Sequence, residues 1–198
     1  MERTRTERKK EETQNKIIAA AVELFHRVGI EATTMEQIAA DVDIAKGTLY
    51  NYFPSKEAII NAYIQRTFRA RNADRMAQFH SLPDTRARLT RIFELLVAGV
   101  QAQKDIFEAF MVSRMKSVIS FRPPEGEPTG LSLLIHEIIR LGQQGGELRA
   151  DLPDDLLEGL FEYALIAAIK PFYLDPAHFD APESIARSVD VFMNGARK

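Results

Sequence analysis

The 198-residue sequence contains no cysteine. Disulfides, thiolate nucleophiles and cysteine-ligated zinc or iron–sulfur centres are therefore excluded. Histidine is scarce as well: His26, His80, His136 and His178 are scattered, with no His-x-x-x-His pair on a helix, so no metal centre is expected. Long apolar runs are missing. The longest, Tyr163 to Ile169, falls far short of the roughly 18 residues that span a bilayer, so no membrane association is expected. The opening MERTRTERKK is charged throughout and lacks the apolar centre of a secretory signal, which points to the cytoplasm. There is little excess of charge of either sign, 26 Lys and Arg against 28 Asp and Glu, so the total gives no hint of a nucleic-acid partner. Residues 1–75 hold 13 basic and 11 acidic residues, leaving 13 and 17 for the remainder, a mild asymmetry compatible with many functions. No strand pattern, internal repeat or glycine-rich phosphate loop occurs. Glu158 and Glu162 stand one turn apart but read as the wet face of a helix. No catalytic residue and no cofactor is assigned, and a helical-bundle enzyme is the rival class.

What is present is helical periodicity from end to end, which makes the fold all-α. Ile17, Ile18, Ala21, Leu24, Phe25 and Val28 recur at helical spacing, and Gly29 follows as a C-terminal stop. Thr34 and Gln37 form a capping box for a short second helix with Met35, Ile38, Ala39 and Val42 inward. After a break at Asp43 and Ile44, AKGTLYNYF makes a third short helix anchored by Leu49 and Phe53 and stopped by Pro54. Ser55 caps a long helix expected to reach about Phe79. Further helices follow over Leu89–Val100, Ile106–Val118, Leu131–Ile139, Pro153 to about Lys170 and Pro182 to about Ala196. A Pro- and Gly-rich loop occupies residues 121–130. These elements divide into a head over 1–54, of which 1–12 is expected to be a flexible arm, and a body over 55–198, with the long helix joining the two.

The first three helices and the tight Asp43-Ile44 link have the spacing of a helix-turn-helix, in which one helix braces another in the DNA major groove. At about 100° per residue, Gly47 and Asn51 lie nearly opposite the buried Leu49, with Thr48 and Tyr50 on the flanks. Asn51 is suited to adenine N6 and N7, Thr48 and Tyr50 to phosphate or a thymine methyl, and Gly47 to close backbone approach. Lys46 and Lys56 place charge for phosphates at two helix starts. The arm's Arg3, Arg5, Arg8, Lys9 and Lys10 are nearly cancelled by Glu2, Glu7, Glu11 and Glu12.

The stretch TTMEQIAADVDIAKGTLYNYFPSKEAIINAY, with IIAAAVELFHRVGIEATT before it, resembles the DNA-binding domain of the TetR family of bacterial transcriptional repressors. The resemblance covers about residues 13–64. It implies a homodimeric repressor whose head binds double-stranded operator DNA and whose helical body binds a small-molecule inducer; an activator or adaptor with the same head is the alternative. By matching position it carries over DNA contacts at Thr34, Lys46, Gly47, Thr48, Tyr50, Asn51, Tyr52 and Lys56. Ala45 stands where many members have Ser, removing a capping hydroxyl, and Asp43 replaces a common Gly in the turn.

In the body, Phe107, Phe110, Met111, Met115, Phe121 and His136 are candidate pocket lining, although aromatic and Met stripes also serve as ordinary core. The helix from Leu156 to Ile169 is apolar on nearly every side, which demands burial on two sides. We therefore expect a homodimer seam of the last two helices built from Leu157, Phe161, Ala164, Leu165, Ala168, Val189, Phe192 and Met193, with close approach at the alanines.

Overall fold

In the computed structural model, which describes residues 4–69, 72–119 and 130–196, Thr4 starts the first helix. Its hydroxyl accepts a hydrogen bond from the Glu7 amide at 3.2 Å and the Glu7 carboxylate accepts one from the Thr4 amide at 2.8 Å, a complete capping box. Helix α1 therefore runs over Arg5–Val28, and residues 5–12, expected to be a flexible arm, are helical. Gly29 ends it at φ 87°, a conformation that L side chains rarely adopt, and its amide still bonds the Phe25 carbonyl.

Helices α2 (Met35–Asp41), α3 (Lys46–Tyr52) and α4 (Lys56–Arg69) follow. The long helix expected from Ser55 to Phe79 is described in two segments, α4 and α5 (Asn72–His80), and the junction at residues 70 and 71 lies outside the described residues. Then come α6 (Thr85–Ala102), α7 (Lys104–Ile119), α8 (Gly130–Gln144), α9 (Asp154–Leu174), a short 3-10 turn (Pro176–His178) and α10 (Ala181–Ala196). All regular elements among the described residues are helical, and none is long and apolar enough to cross a membrane. The loop expected at 121–130 lies outside the described residues apart from Gly130, which opens α8. Helix α9 outruns its expected end: it passes through Pro171 to Leu174, and the Ser184 hydroxyl of α10 bonds the Ala168 carbonyl close to where the proline interrupts the amide ladder.

Contacts divide the chain into two units, Met1–Thr67 with Asp105–Glu125, and Phe68–Lys104 with Gly126–Lys198. The first thus extends past the expected boundary at 54 and includes most of α7. Its core holds Ile17, Ala21, Leu24 and Phe25 of α1, Ile38 of α2, Leu49 of α3 and Ile59, Ile60 and Ile64 of α4. In the second unit α10 packs on α9 and α6, α8 on α9 and α6, and α5 on α8. Phe93 of α6 meets Phe161 of α9 edge to face, ring centres 5.0 Å apart.

Polar ties fix the corner where α5, α6 and α8 meet. The buried Arg88 donates to the carbonyls of Phe79 and Leu82, and Glu147 accepts from the Thr85 amide at 2.7 Å. Gly142 permits this approach, because a Cβ there would fall 2.7 Å from the Thr85 hydroxyl and 2.8 Å from the Leu148 side chain. Nearby, Arg140 grips Glu137 through two bonds of 2.7 and 2.6 Å while His80 of α5 approaches the same carboxylate at 2.8 Å. The Arg140 hydrogen bonds, aided by its charge and by His80, hold the Glu137 carboxyl below the usual carboxylate range.

Candidate nucleic-acid interface

Thr34 and Gln37 bond reciprocally at 2.8 and 3.2 Å, so α2 opens with the expected capping box and the exposed Thr34 hydroxyl is engaged in it. At the other end the chain reverses through Asp43, whose φ of 53° is left-handed. Asp is among the few residues besides Gly that visit this region readily. The Asp43 and Ile44 amides bond the Ala40 and Ala39 carbonyls at 3.2 and 3.0 Å, closing α2. Ala45 then caps α3 with its backbone alone, without a side-chain hydrogen bond.

Two residues set the roll of α3. Leu49 is fully buried and Phe53, just past the helix end, nearly so. The helical period then turns Gly47, Thr48, Tyr50 and Asn51 to solvent, while Tyr52 comes back to a half-buried position. Nothing lies within 4 Å of where a Gly47 Cβ would stand, which leaves an open path for close backbone approach. The surface so formed offers an amide, a hydroxyl, a phenol and bare backbone on one short helix, a donor and acceptor set suited to base edges and phosphates.

The two lysines behave differently from each other. Lys46 pairs with Glu36 of α2 and lies 5.8 Å from the centre of the Tyr50 ring. Its hydrogen bond holds the Glu36 carboxyl below the usual range, and the same bond raises the Lys46 ammonium. Glu36 sits ten positions from Lys46 on a different helix, so sequence spacing gives no sign of the pair. Lys56, expected on phosphate, points elsewhere. Its ammonium donates to the carbonyls of Ile30 at 2.6 Å, Thr33 at 2.8 Å and Glu31 at 3.4 Å. An ammonium has three protons, so the α1–α2 link occupies its full donor set and Lys56 is a brace within the fold.

The body residues divide likewise. Phe107 and Phe110 are buried on α7, and Met111 and Met115 half-buried; Phe121 lies outside the described residues. His136 does not line an apolar pocket: 48% exposed, it sits 3.0 Å from Glu158 and 3.8 Å from Asp154 in a surface ion cluster. The expected dimer residues need correction too. Leu157, Phe161, Leu165, Ala168, Val189, Phe192 and Met193 are buried within the single chain, and of the eight only Ala164 is partly open. The apolar residues left in solvent on these helices are Leu156, Leu160, Tyr163, Leu174 and Val191. Beside them lies a cleft of about 460 Å³ bordered by Ala164, Ala167 and Pro171 of α9 and Ser184, Arg187 and Val191 of α10. Among the described residues no group of three His, Asp or Glu side chains is placed to hold a metal ion.

A short helix rolled outward on two buried anchors, braced by a capped partner across a left-handed turn, defines a helix-turn-helix protein. Residues 17–63 match the model of the bacterial regulatory proteins, tetR family. Among curated relatives, the HTH-type transcriptional regulator HbdR of Aromatoleum sp. (strain CIB) is 29% identical over 70% of this chain and 61% of its own length. The HTH-type transcriptional repressor KstR of Rhodococcus jostii (strain RHA1) is 39% identical over 29% of this chain and 27% of its own. The chain thus spans less than two thirds of either relative. Among solved structures, Thermus thermophilus FadR, a TetR-family transcriptional repressor in complex with lauroyl-CoA, superposes with a TM-score of 0.74. That match covers 92% of this chain and 94% of FadR at 22% identity, a likeness of fold.

Proposed function

We propose that the protein is a transcriptional repressor that binds a palindromic operator as a homodimer and is released by a small-molecule inducer. The observation that carries this reading is the outward set Gly47, Thr48, Tyr50 and Asn51 on a helix anchored by Leu49 and Phe53. Asn51 reads a base, Thr48 and Tyr50 reach phosphate or a thymine methyl, and Lys46 exchanges Glu36 for a phosphate. Operator binding needs two heads, and the exposed apolar residues of α9 with Val191 of α10 supply the face on which a second copy closes. The inducer is apolar or amphipathic, taken up near the Phe- and Met-rich α7, in keeping with the repressor character of KstR and the acyl ligand of FadR. Repression follows from occupying the operator, and induction from a ligand that binds the DNA-free form more tightly. No catalytic step is assigned.

Selection from a pool of genomic fragments at low salt tests the reading. Inverted repeats should be enriched, with half-sites one helical turn of about 34–36 Å or a multiple apart. Asn51→Ala should then lose about 1–3 kcal/mol of preference for the selected site over random duplex. A pool that yields no inverted repeat overturns the proposal.

A further inference from the structure

The near cancellation of charge in the N-terminal segment disappears once the segment is a helix. At about 100° per residue, Arg5, Arg8, Lys9 and Lys16 fall on one side of α1, within about 50° of a common direction. Glu7 and Glu11 fall on the opposite side, and of the acidic residues in this stretch only Glu12 shares the basic stripe. The stripe lies about 140° around the helix from the core-facing Ile17, Ala21 and Leu24, which directs it to solvent. Every residue from Arg5 to Glu12 is exposed, and none of the four cations joins an ion pair among the described residues. About three turns of helix thus extend beyond the first buried residue, held by the Thr4–Glu7 box and continuous with the packed part of α1.

We propose that this stripe is a second DNA contact surface, gripping the phosphate backbone of duplex outside the base pairs read by α3. The inference rests on the DNA-binding function proposed above. Charge complementarity selects the occupant. The cations reach over about 16 Å of helix, 11 steps of 1.5 Å, while duplex DNA presents one negative charge per about 1.7 Å of its axis. The opposite face of the extension carries carboxylates rather than an apolar stripe, so it is unsuited to lie in a lipid surface. Phosphate contacts are indifferent to sequence, so the stripe adds affinity and salt dependence without changing which site is chosen.

The test compares the full-length protein with an Arg5→Gln, Arg8→Gln, Lys9→Gln variant on a fluorescein-labelled random-sequence duplex, titrated between 50 and 200 mM KCl. Gln keeps the helix propensity nearly unchanged, and circular dichroism confirms it. Each lost phosphate contact lowers the slope of log K against log salt by about 0.9 and, at 0.1 M salt, the affinity by nearly tenfold. The variant should therefore lose about two to three units of slope and on the order of 10²-fold in affinity. A charge-matched control, Arg86→Gln, Arg149→Gln, Arg187→Gln, should keep the wild-type slope. A wild-type slope in the N-terminal variant, or equal losses in the control, overturns the inference while leaving the recognition helix in place. Retention of wild-type protein on phosphatidylglycerol vesicles as strong as on duplex, lost in the N-terminal variant, would assign the stripe to a membrane and also overturn it. Wild-type protein that binds no duplex even at 50 mM KCl overturns the DNA-binding function itself.

Discussion

Replacing Lys56 separates two accounts of the same side chain. If it holds phosphate, its loss weakens DNA binding uniformly and leaves the fold untouched. If it braces the α1–α2 link, its loss is felt in stability. The structure favours the second, with bonds of 2.6 and 2.8 Å to the Ile30 and Thr33 carbonyls and a longer one of 3.4 Å to Glu31. Hydrogen bonds to a charged group contribute about 1.5–3 kcal/mol each. Two good bonds, reduced by roughly half because the site is only part-buried, give an expected cost of about 2–3 kcal/mol for Lys56→Met. Met keeps most of the aliphatic stem, so lost packing contributes little. At 2–4 °C per kcal/mol for a chain of this size, the melting midpoint should fall by about 4–12 °C. Circular dichroism reads it without intrinsic tryptophan, which the chain lacks. The slope of DNA affinity against salt should stay unchanged at temperatures where the variant is folded. A stability change below about 0.5 kcal/mol together with a slope reduced by about 0.9 would refute the brace and restore the phosphate contact.

Gly142→Ala forces a Cβ to within 2.7 Å of the Thr85 hydroxyl and should cost about 1–3 kcal/mol in urea unfolding, whereas Gly47→Ala meets open space and should leave stability equal or higher while weakening DNA binding. Glu137→Gln should lower stability at neutral pH and flatten the acid limb of the stability profile. The folded carboxyl titrates below its unfolded value, so its contribution is complete above the ordinary carboxylate range and vanishes as pH falls through the lowered value; wild type and variant should converge on the acid side of it. Leu160→Glu with Val191→Asp should yield folded monomers near 22 kDa by sedimentation, and an unaltered dimer mass would remove the exposed α9–α10 face as the seam.

The elements legible in the sequence are those governed by local chemistry. Thr34 and Gln37 announce the α2 capping box and Gly29 ends α1, each through contacts within a few residues along the chain, and the apolar spacing of Leu49 and Phe53 sets the roll of α3. Asp43 was legible on the same ground, since a tight turn between two helices calls for a residue tolerant of positive φ. The start of α1 was missed because mixed charge reads as a disordered tail, although Thr4 and Glu7 carry the same Thr-x-x-Glu signature that marks such a start. The partners of Lys46, Lys56 and His136 were illegible for a different reason. A long cation or a histidine has many potential acceptors, and only the tertiary arrangement selects Glu36, the 30–33 carbonyls or Glu158.

On helix α9 the residues expected at a dimer seam and the apolar residues left in solvent are different sets. Apolar positions on nearly every side imply two buried faces. The backbone separates them: Leu157, Phe161, Leu165, Ala168 and Ile169 form one stripe, buried in the chain, and Leu156, Leu160, Tyr163, Ala167, Pro171 and Leu174 form another roughly 130° away, in solvent. Sequence periodicity cannot rank two stripes that are both apolar. The inner stripe meets α6, α8 and α10 of its own chain, so a charge at Phe161 would unfold the bundle and say nothing of assembly. The outer stripe is the informative one. Tyr163 is 58% exposed, Leu174 75% and Val191 72%, more open apolar surface than one helix pair needs for its own packing. Substitution there leaves the protomer core intact, so a change in mass can be assigned to the contact between copies and a change in DNA binding to the pairing of two heads.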